Sequence, residues 1–168
     1  LYRSNYLSRN IEKSLRNRGI PYIIFGGLRF FDRMEVKDIL SYLRLITISD
    51  DLAFTRIINK PKRGIGEKTL QIIQDIANQE NCSLYEAAKQ TSQLPNSVIN
   101  KITGFVDMIE DFKTSYKSMS IEDLINEVFE KSGLKHQYTV DKETDRLENI
   151  KELISDAIDF AHHYPESD

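Results

Sequence analysis

Along most of this chain, apolar residues recur at three- and four-residue intervals, the period of helices that bury one face. Met34 to Ile48 carries Ile39, Leu40, Leu43 and Ile46 on one stripe. Asp50 and Asp51 open a short helix through Ile58 that Pro61 ends. The run Leu70 to Ala77 is apolar at 70, 72, 73, 76 and 77. Ser83-Leu84-Tyr85-Glu86 has the spacing of a capping box before Ala87 and Ala88, and Ser120-Ile121-Glu122-Asp123 is a looser version before Leu124, Ile125, Val128 and Phe129. Between them, Val98 to Tyr116 places Ile102, Phe105, Val106, Ile109 and Phe112 at helical spacing. Gly133 closes the helix of the 120s. Leu147 to Phe160 forms the last, with Ile150, Leu153, Ile154, Ala157 and Ile158. These stripes predict helix–helix core rather than a cofactor surface.

The front of the chain follows another rhythm. Leu1 to Asn5 looks like a strand end running into a loop. Ser8 to Arg18 is an amphipathic helix, with Ile11 and Leu15 one turn apart, and Gly19 stops it. Pro21 to Phe25 is short, apolar and rich in β-branched and aromatic residues, the mark of a buried strand, and Gly26-Gly27 punctuates it. Strand signals nearly vanish from Val36 onward. The predicted fold class is therefore mainly α, with a short incomplete α/β piece in front.

Composition narrows the class. At 168 residues, 40% hydrophobic and 29% charged, the chain is globular and has no apolar run approaching a membrane span. Its single cysteine, Cys82, excludes an internal disulfide framework and fits a reducing cytoplasm. The sequence opens Leu1-Tyr2-Arg3, without a methionine or a signal-peptide pattern, and reads as an excised piece of something longer. The net charge of −3 conceals an asymmetry. Residues 1–68 hold 14 Lys and Arg against 7 Asp and Glu, or +7, while residues 69–168 hold 9 against 19, or −10. A polyanion would be steered to the first half, because steering follows the local patch rather than the total.

The chemistry concentrates at Asn59-Lys60-Pro61-Lys62-Arg63-Gly64-Ile65-Gly66-Glu67-Lys68-Thr69. Two glycines one residue apart let the backbone take positive φ and approach a large ligand closely. The helix that follows offers free N–H groups and a partial positive charge, an anion site. Lys60, Lys62, Arg63 and Lys68 surround it, which suits a polyanion better than a lone carboxylate. The alternative is an ordinary solvated turn. As a ligand site, it predicts a clamp on a nucleic-acid phosphate backbone, blind to sequence because nothing here is built to read base edges. Four cations on four phosphates would give a log–log salt slope of about −3 to −4.

Catalytic patterns are missing. The chain has no Gly-x-x-x-x-Gly-Lys-Ser/Thr phosphate loop, no Gly-x-Ser-x-Gly elbow and no spaced Cys/His set for zinc. Histidines occur only at 136, 162 and 163, and the acidic pairs read as helix caps and solvated faces. No catalytic or metal-ligating constellation can be assembled, so the chain reads as a binding piece.

Four motifs stand in order along the chain: Leu1 to Arg9 (LYRSNYLSR), Gly26 to Arg44 (GGLRFFDRMEVKDILSYLR), Ile57 to Gly66 (IINKPKRGIG) and Arg146 to Glu152 (RLENIKE). Together they resemble the motifs of the UvrD/PcrA/Rep group of superfamily 1 DNA helicases. The resemblance covers nearly the whole chain. It implies that residues 1 to about 40 open a RecA-like motor subdomain, 2A, and that residues from about 41 onward lie in the helical 2B insertion. Such enzymes are ATP-dependent 3′–5′ translocases that separate duplex DNA. The resemblance implies that Arg3 and Asn5 lie near the single-strand track and that Arg29 and Arg33 lie near the junction with duplex. It also makes Lys62, the Gly64-Ile65-Gly66 turn and Thr69 the duplex-backbone contacts.

The nucleotide loop, the Mg²⁺-binding acidic box and the γ-phosphate arginines are missing from this sequence, so ATP and Mg²⁺ are expected in the parent enzyme only. The piece alone is expected to show no ATPase. Its first 40 residues, strands without the rest of their sheet, are expected to be less ordered than the remainder or to be stabilised by a second copy. Expected partners are duplex and junction DNA and the remaining helicase subdomains, with no membrane. Two alternatives stand: a regulatory module that receives a protein, marked by clustering of Tyr85, Tyr116 and Tyr138, and a fragment of a RecB/AddA-type nuclease-helicase.

Overall fold

The computed structural model describes residues 11–12, 14–15, 18–22, 30–90, 92 and 94–163, and among them the regular structure is entirely helical. From residue 34 onward the described α-helices are α1 Met34–Ile48, α2 Asp51–Ile57, α3 Glu67–Glu80, α4 Leu84–Ala88, α5 Asn96–Ser115, α6 Ile121–Lys131, α7 Leu134–Val140 and α8 Thr144–His163. A 3-10 turn at Phe30–Asp32 leads into α1, and another at Tyr116–Ser118 follows α5. Residues 11, 12, 14 and 15 are helical, as the spacing of Ile11 and Leu15 predicts, although Ile11 is exposed. The strand over 1–5 lies outside the described residues, as does 23–25 of the second. The described Pro21 and Tyr22 are in neither helix nor strand.

Helix starts follow the chemistry of their first residues. The Asp50 side chain accepts from the Ala53 N–H at 2.7 Å, Ser83 Oγ from Glu86 N–H at 3.2 Å, and Ser120 Oγ from Asp123 N–H at 3.0 Å. Each satisfies one of the N–H groups that a helix leaves open. The Ala53 N–H, with Arg44 beside it at 2.8 Å, holds the Asp50 carboxyl below the usual carboxylate range.

α1 packs against α2, α5, α6 and α8, and this crowding sets its burial. Val36, Ile39, Tyr42, Leu45 and Ile46 are buried, and so are Glu35, Asp38 and Ser41. Leu40 and Leu43, placed on the core stripe from spacing, are only half-buried. A helix contacted from several sides is poorly described by a single stripe. Phe54 from α2 meets Tyr85 (α4) and Phe105 (α5) edge-on, at centroid distances of 6.5 and 6.0 Å. Beneath it the Tyr85 hydroxyl donates to Glu110 at 2.7 Å.

α7 has no forewarning in the stripes, because Leu134 and Tyr138 are its only buried residues. Gly133, at φ 89°, ends α6 and also opens α7, so a residue read as a stop is a corner. No helix among the described residues is long and apolar enough to cross a membrane. Nor do they gather three or more His, Cys, Asp or Glu side chains fit to hold a metal ion.

Candidate nucleic-acid interface

The basic turn begins where α2 ends. Asn59 organises it, its side-chain oxygen accepting from Arg63 N–H at 2.7 Å and from Ile65 N–H at 3.3 Å. Ile65 is 1% exposed and pins the centre of the turn in the core. Its two glycine neighbours are thereby left on the surface. Gly64 has φ 72°, a conformation open to glycine and strained for other residues. Gly66 caps α3 without a side chain, and a Cβ built there would meet nothing within 4 Å. The Thr69 and Leu70 N–H groups both bond to the Gly66 carbonyl, at 3.0 and 3.1 Å. The Glu67 and Lys68 N–H groups precede any intrahelical acceptor and stay available to an anion.

The cations divide into two sets. Lys62 and Lys68 are exposed at the turn. Lys101, an exposed residue of α5, joins them: its Nζ would lie 2.7 Å from a Cβ built on Gly64. Sequence reasoning missed Lys101, which lies far along the chain in an acidic half. Its one signal is its place on the polar face of α5. Glu67, also exposed, is the one carboxylate of the turn itself.

The remaining cations face inward. Lys60 Nζ lies 3.4 Å from Asp38, whose carboxylate also takes the Arg56 Nε–H at 2.7 Å. Arg63 is the larger departure from the expected phosphate contact. One of its terminal nitrogens lies 2.8–3.3 Å from the carbonyls of Ile57, Ile58, Lys60 and Pro61. The other donates to the Tyr42 hydroxyl at 2.8 Å and to the Ser132 carbonyl at 3.1 Å. The guanidinium also sits 5.2 Å from the centroid of the Phe105 ring. The last carbonyls of α2 and its loop crowd together and attract a planar, multi-donor cation, and the distant Ser132 carbonyl adds to them. Tyr42 in turn donates to the Lys60 carbonyl at 2.6 Å, and burial raises its hydroxyl pKa above the ordinary value. The side chains of Ile65 and Thr69 are buried too, so these two residues offer backbone rather than side chain.

Arg33 is likewise placed inside. It is 6% exposed, stacks 5.3 Å from the Phe30 centroid and donates to Asn149 Oδ1 at 2.6 Å. Asn149 Nδ2 donates to Glu35 at 2.5 Å, and Arg146 reaches the same carboxylate at 3.9 Å. Arg146 also pairs with Glu143 at 3.1 Å and lies 5.2 Å from the Tyr138 ring centroid. This network joins two of the motifs, Gly26 to Arg44 through Arg33 and Glu35, and Arg146 to Glu152 through Arg146 and Asn149. Arg3, Asn5 and Arg29 lie outside the described residues.

The aromatics that would mark a protein-receiving face do not form one. Tyr85 and Tyr138 are buried at 0% and 2% exposure, and Tyr116 is half-buried. Burial raises the pKa of both buried hydroxyls, pushing Tyr138 up to about 12.

These elements make a helical module with a lysine-flanked Gly-x-Gly turn on its surface. The pattern of the UvrD-like helicase C-terminal domain matches residues 1–168, and the chain belongs to that family. It is 35% identical to DNA helicase II of Escherichia coli (strain K12) over 175 residues, which take in 100% of this chain and 24% of the relative. The ATP-dependent DNA helicase PcrA of Staphylococcus epidermidis is 37% identical over 172 residues, 98% of this chain and 24% of the relative. Its Staphylococcus aureus namesake is 36% identical over 98% of this chain and 23% of the relative. The chain thus spans about a quarter of the length of the curated relatives it matches.

Proposed function

We propose that this chain is the duplex-holding part of an ATP-dependent 3′–5′ DNA helicase of the cytoplasm. Residues 1–40 belong to its 2A motor subdomain and residues 41–168 to its 2B subdomain. α1 runs unbroken across residues 40 and 41, so the two parts would share one helix. The observation that carries the reading is the turn: exposed Gly64 and Gly66 backbone at the start of α3, flanked by Lys62, Lys68 and Lys101, which have no carboxylate partner among the described residues. Amide N–H groups and lysines together hold phosphate oxygens without reading bases. A motor pulling one strand separates a duplex only if the duplex is held at an angle to the track, and a backbone clamp on a neighbouring subdomain supplies that hold.

In this proposal Arg3, Asn5 and Arg29 serve the single strand and the junction. ATP and Mg²⁺ act in the whole enzyme, since this sequence has no phosphate loop, and the chain by itself hydrolyses no ATP. Its partners are duplex and junction DNA and the other helicase subdomains. No structural observation favours a regulatory protein as occupant.

Three lysines on three phosphates give a log–log salt slope of about −3, with affinity in the non-specific range of ~10⁻⁴ to 10⁻⁶ M. Fluorescence anisotropy with a labelled duplex bearing a 3′ single-strand tail, titrated across salt, tests this. Lys62→Ala is expected to weaken binding to every sequence alike and to lower the slope by about one. A change in sequence preference, or no binding by a folded chain at low salt, contradicts the clamp.

A further inference from the structure

Resting on the clamp reading, we infer that Arg63 is the residue that positions the clamp and does not itself touch DNA: its guanidinium ties the turn to three other parts of the molecule. The fork holds four carbonyls between Ile57 and Pro61, the Tyr42 hydroxyl of α1 and the Ser132 carbonyl at the α6–α7 corner, and lies against Phe105 of α5. All of these partners precede Arg63 or lie far from it in sequence; Ser132 is 69 residues on. Arg63 is therefore the point at which the loop before the turn, the helix beneath it and a distant corner meet. Gly133 adds a second contact at that corner, where an added Cβ would meet the Pro61 ring at 3.3 Å and φ is 89°. Gly64 and Gly66 follow Arg63 directly, and the Arg63 N–H is itself fixed by Asn59. Movement of the guanidinium would shift the glycine turn that follows it.

Charge alone cannot perform this task. A lysine at 63 keeps the positive charge but presents a single ammonium, which cannot span the carbonyls of α2, the Tyr42 hydroxyl and the Ser132 carbonyl together. A phosphate contact behaves in the opposite way, since lysine replaces arginine well as a point charge against a backbone phosphate.

The test uses the 168-residue chain with Arg63→Lys, Arg63→Gln, Tyr42→Phe and Lys62→Ala, each with the tailed duplex across a salt series. Binding is measured well below each variant's melting midpoint, with folding checked by circular dichroism. Arg63→Lys and Arg63→Gln are expected to weaken binding alike, by about tenfold, the loss of roughly one charge-assisted hydrogen-bonded link. Tyr42→Phe, which removes a buried hydroxyl beyond reach of DNA, is expected to weaken binding severalfold with the salt slope unchanged.

Wild-type affinity for Arg63→Lys, with Arg63→Gln losing about one from the slope, would make Arg63 a phosphate contact and overturn the inference. Lowered melting midpoints with unchanged affinity would make it a purely structural residue, with the same consequence. If Arg63 variants do not fold, full wild-type affinity in Tyr42→Phe overturns it instead. The Lys62→Ala arm separates these failures from failure of the clamp: if Lys62→Ala leaves both affinity and slope unchanged, the clamp reading itself falls and the inference falls with it.

Discussion

The basic turn and the base of α1 are both built from motif residues and both contain arginine, yet they use charge in opposite directions. At the base, Arg33, Asn149 and Glu35 face one another in the interior, with the half-buried Arg146 at their edge. At the turn, one arginine faces inward while Lys62, Lys68 and Lys101 stand in solvent. The division follows from the side chains. Guanidinium is weakly hydrated and offers five donors in a fixed plane, so it can be buried against several carbonyls. An ammonium is a strongly hydrated point charge that does better at the surface. The lesson is that the interior positions need arginine's shape and the surface positions need only positive charge.

Breaking the base should give the largest effect. Asn149→Ala removes the link between Arg33 and Glu35 and takes one hydrogen bond from each of these two buried charged groups. We expect a loss of about 3 kcal/mol, seen as a Tm lower by about 6–12 °C for a chain of this size. The effect on duplex affinity at low temperature should be small; a large one would mean that the base contacts DNA.

Each region also keeps a buried tyrosine against an arginine: Tyr138 under Arg146 and Tyr42 beside Arg63. Burial favours the neutral hydroxyl in both, so the folded chain holds these protons longer than the unfolded chain does. Their contribution to stability is full below pH about 10 and is lost as the pH rises, for Tyr138 between about 10 and 12. Tyr138→Phe should flatten the alkaline part of the stability curve by up to about 2–3 kcal/mol. An identical curve for variant and wild type in denaturant melts would contradict this.

Gly64→Ala probes the turn directly. At φ 72° a side chain costs about 1–2 kcal/mol, and the new Cβ displaces Lys101 Nζ from its seat at 2.7 Å. Duplex binding should fall along with stability. Lys101→Ala should have the smallest effect: stability unchanged, affinity lower by a fewfold and the salt slope reduced by about one. An unchanged slope would remove Lys101 from the clamp.

The two regions also differ in how far a reader of the sequence could see them. Ser83 and Ser120 announce α4 and α6 because capping is a local contract between residues three apart. The apolar spacing of α1, α3, α5, α6 and α8 likewise reports their existence, with bounds off by a few residues. The Gly-x-Gly turn stands out for the same reason, since positive φ and helix onset are short-range properties. The direction of Arg63 does not, because its partners include Ser132, 69 residues away, and a cation beside a glycine turn looks the same in sequence whether it faces in or out. Lys101 escaped for a related reason: only tertiary packing of α5 brings it to Gly64. α7 was hidden by having just two buried residues to mark it.

Charge-preserving exchange in both sets tests most directly whether interior arginines give shape and surface lysines give charge. Lys62→Arg, Lys101→Arg, Arg63→Lys and Arg33→Lys would be compared with wild type in the salt-titrated duplex assay and by thermal melting. We expect the two lysine-to-arginine variants to keep affinity, slope and Tm, Arg63→Lys to lose affinity, and Arg33→Lys to lose Tm. All four variants matching wild type would show that only charge matters at these positions and would contradict the account.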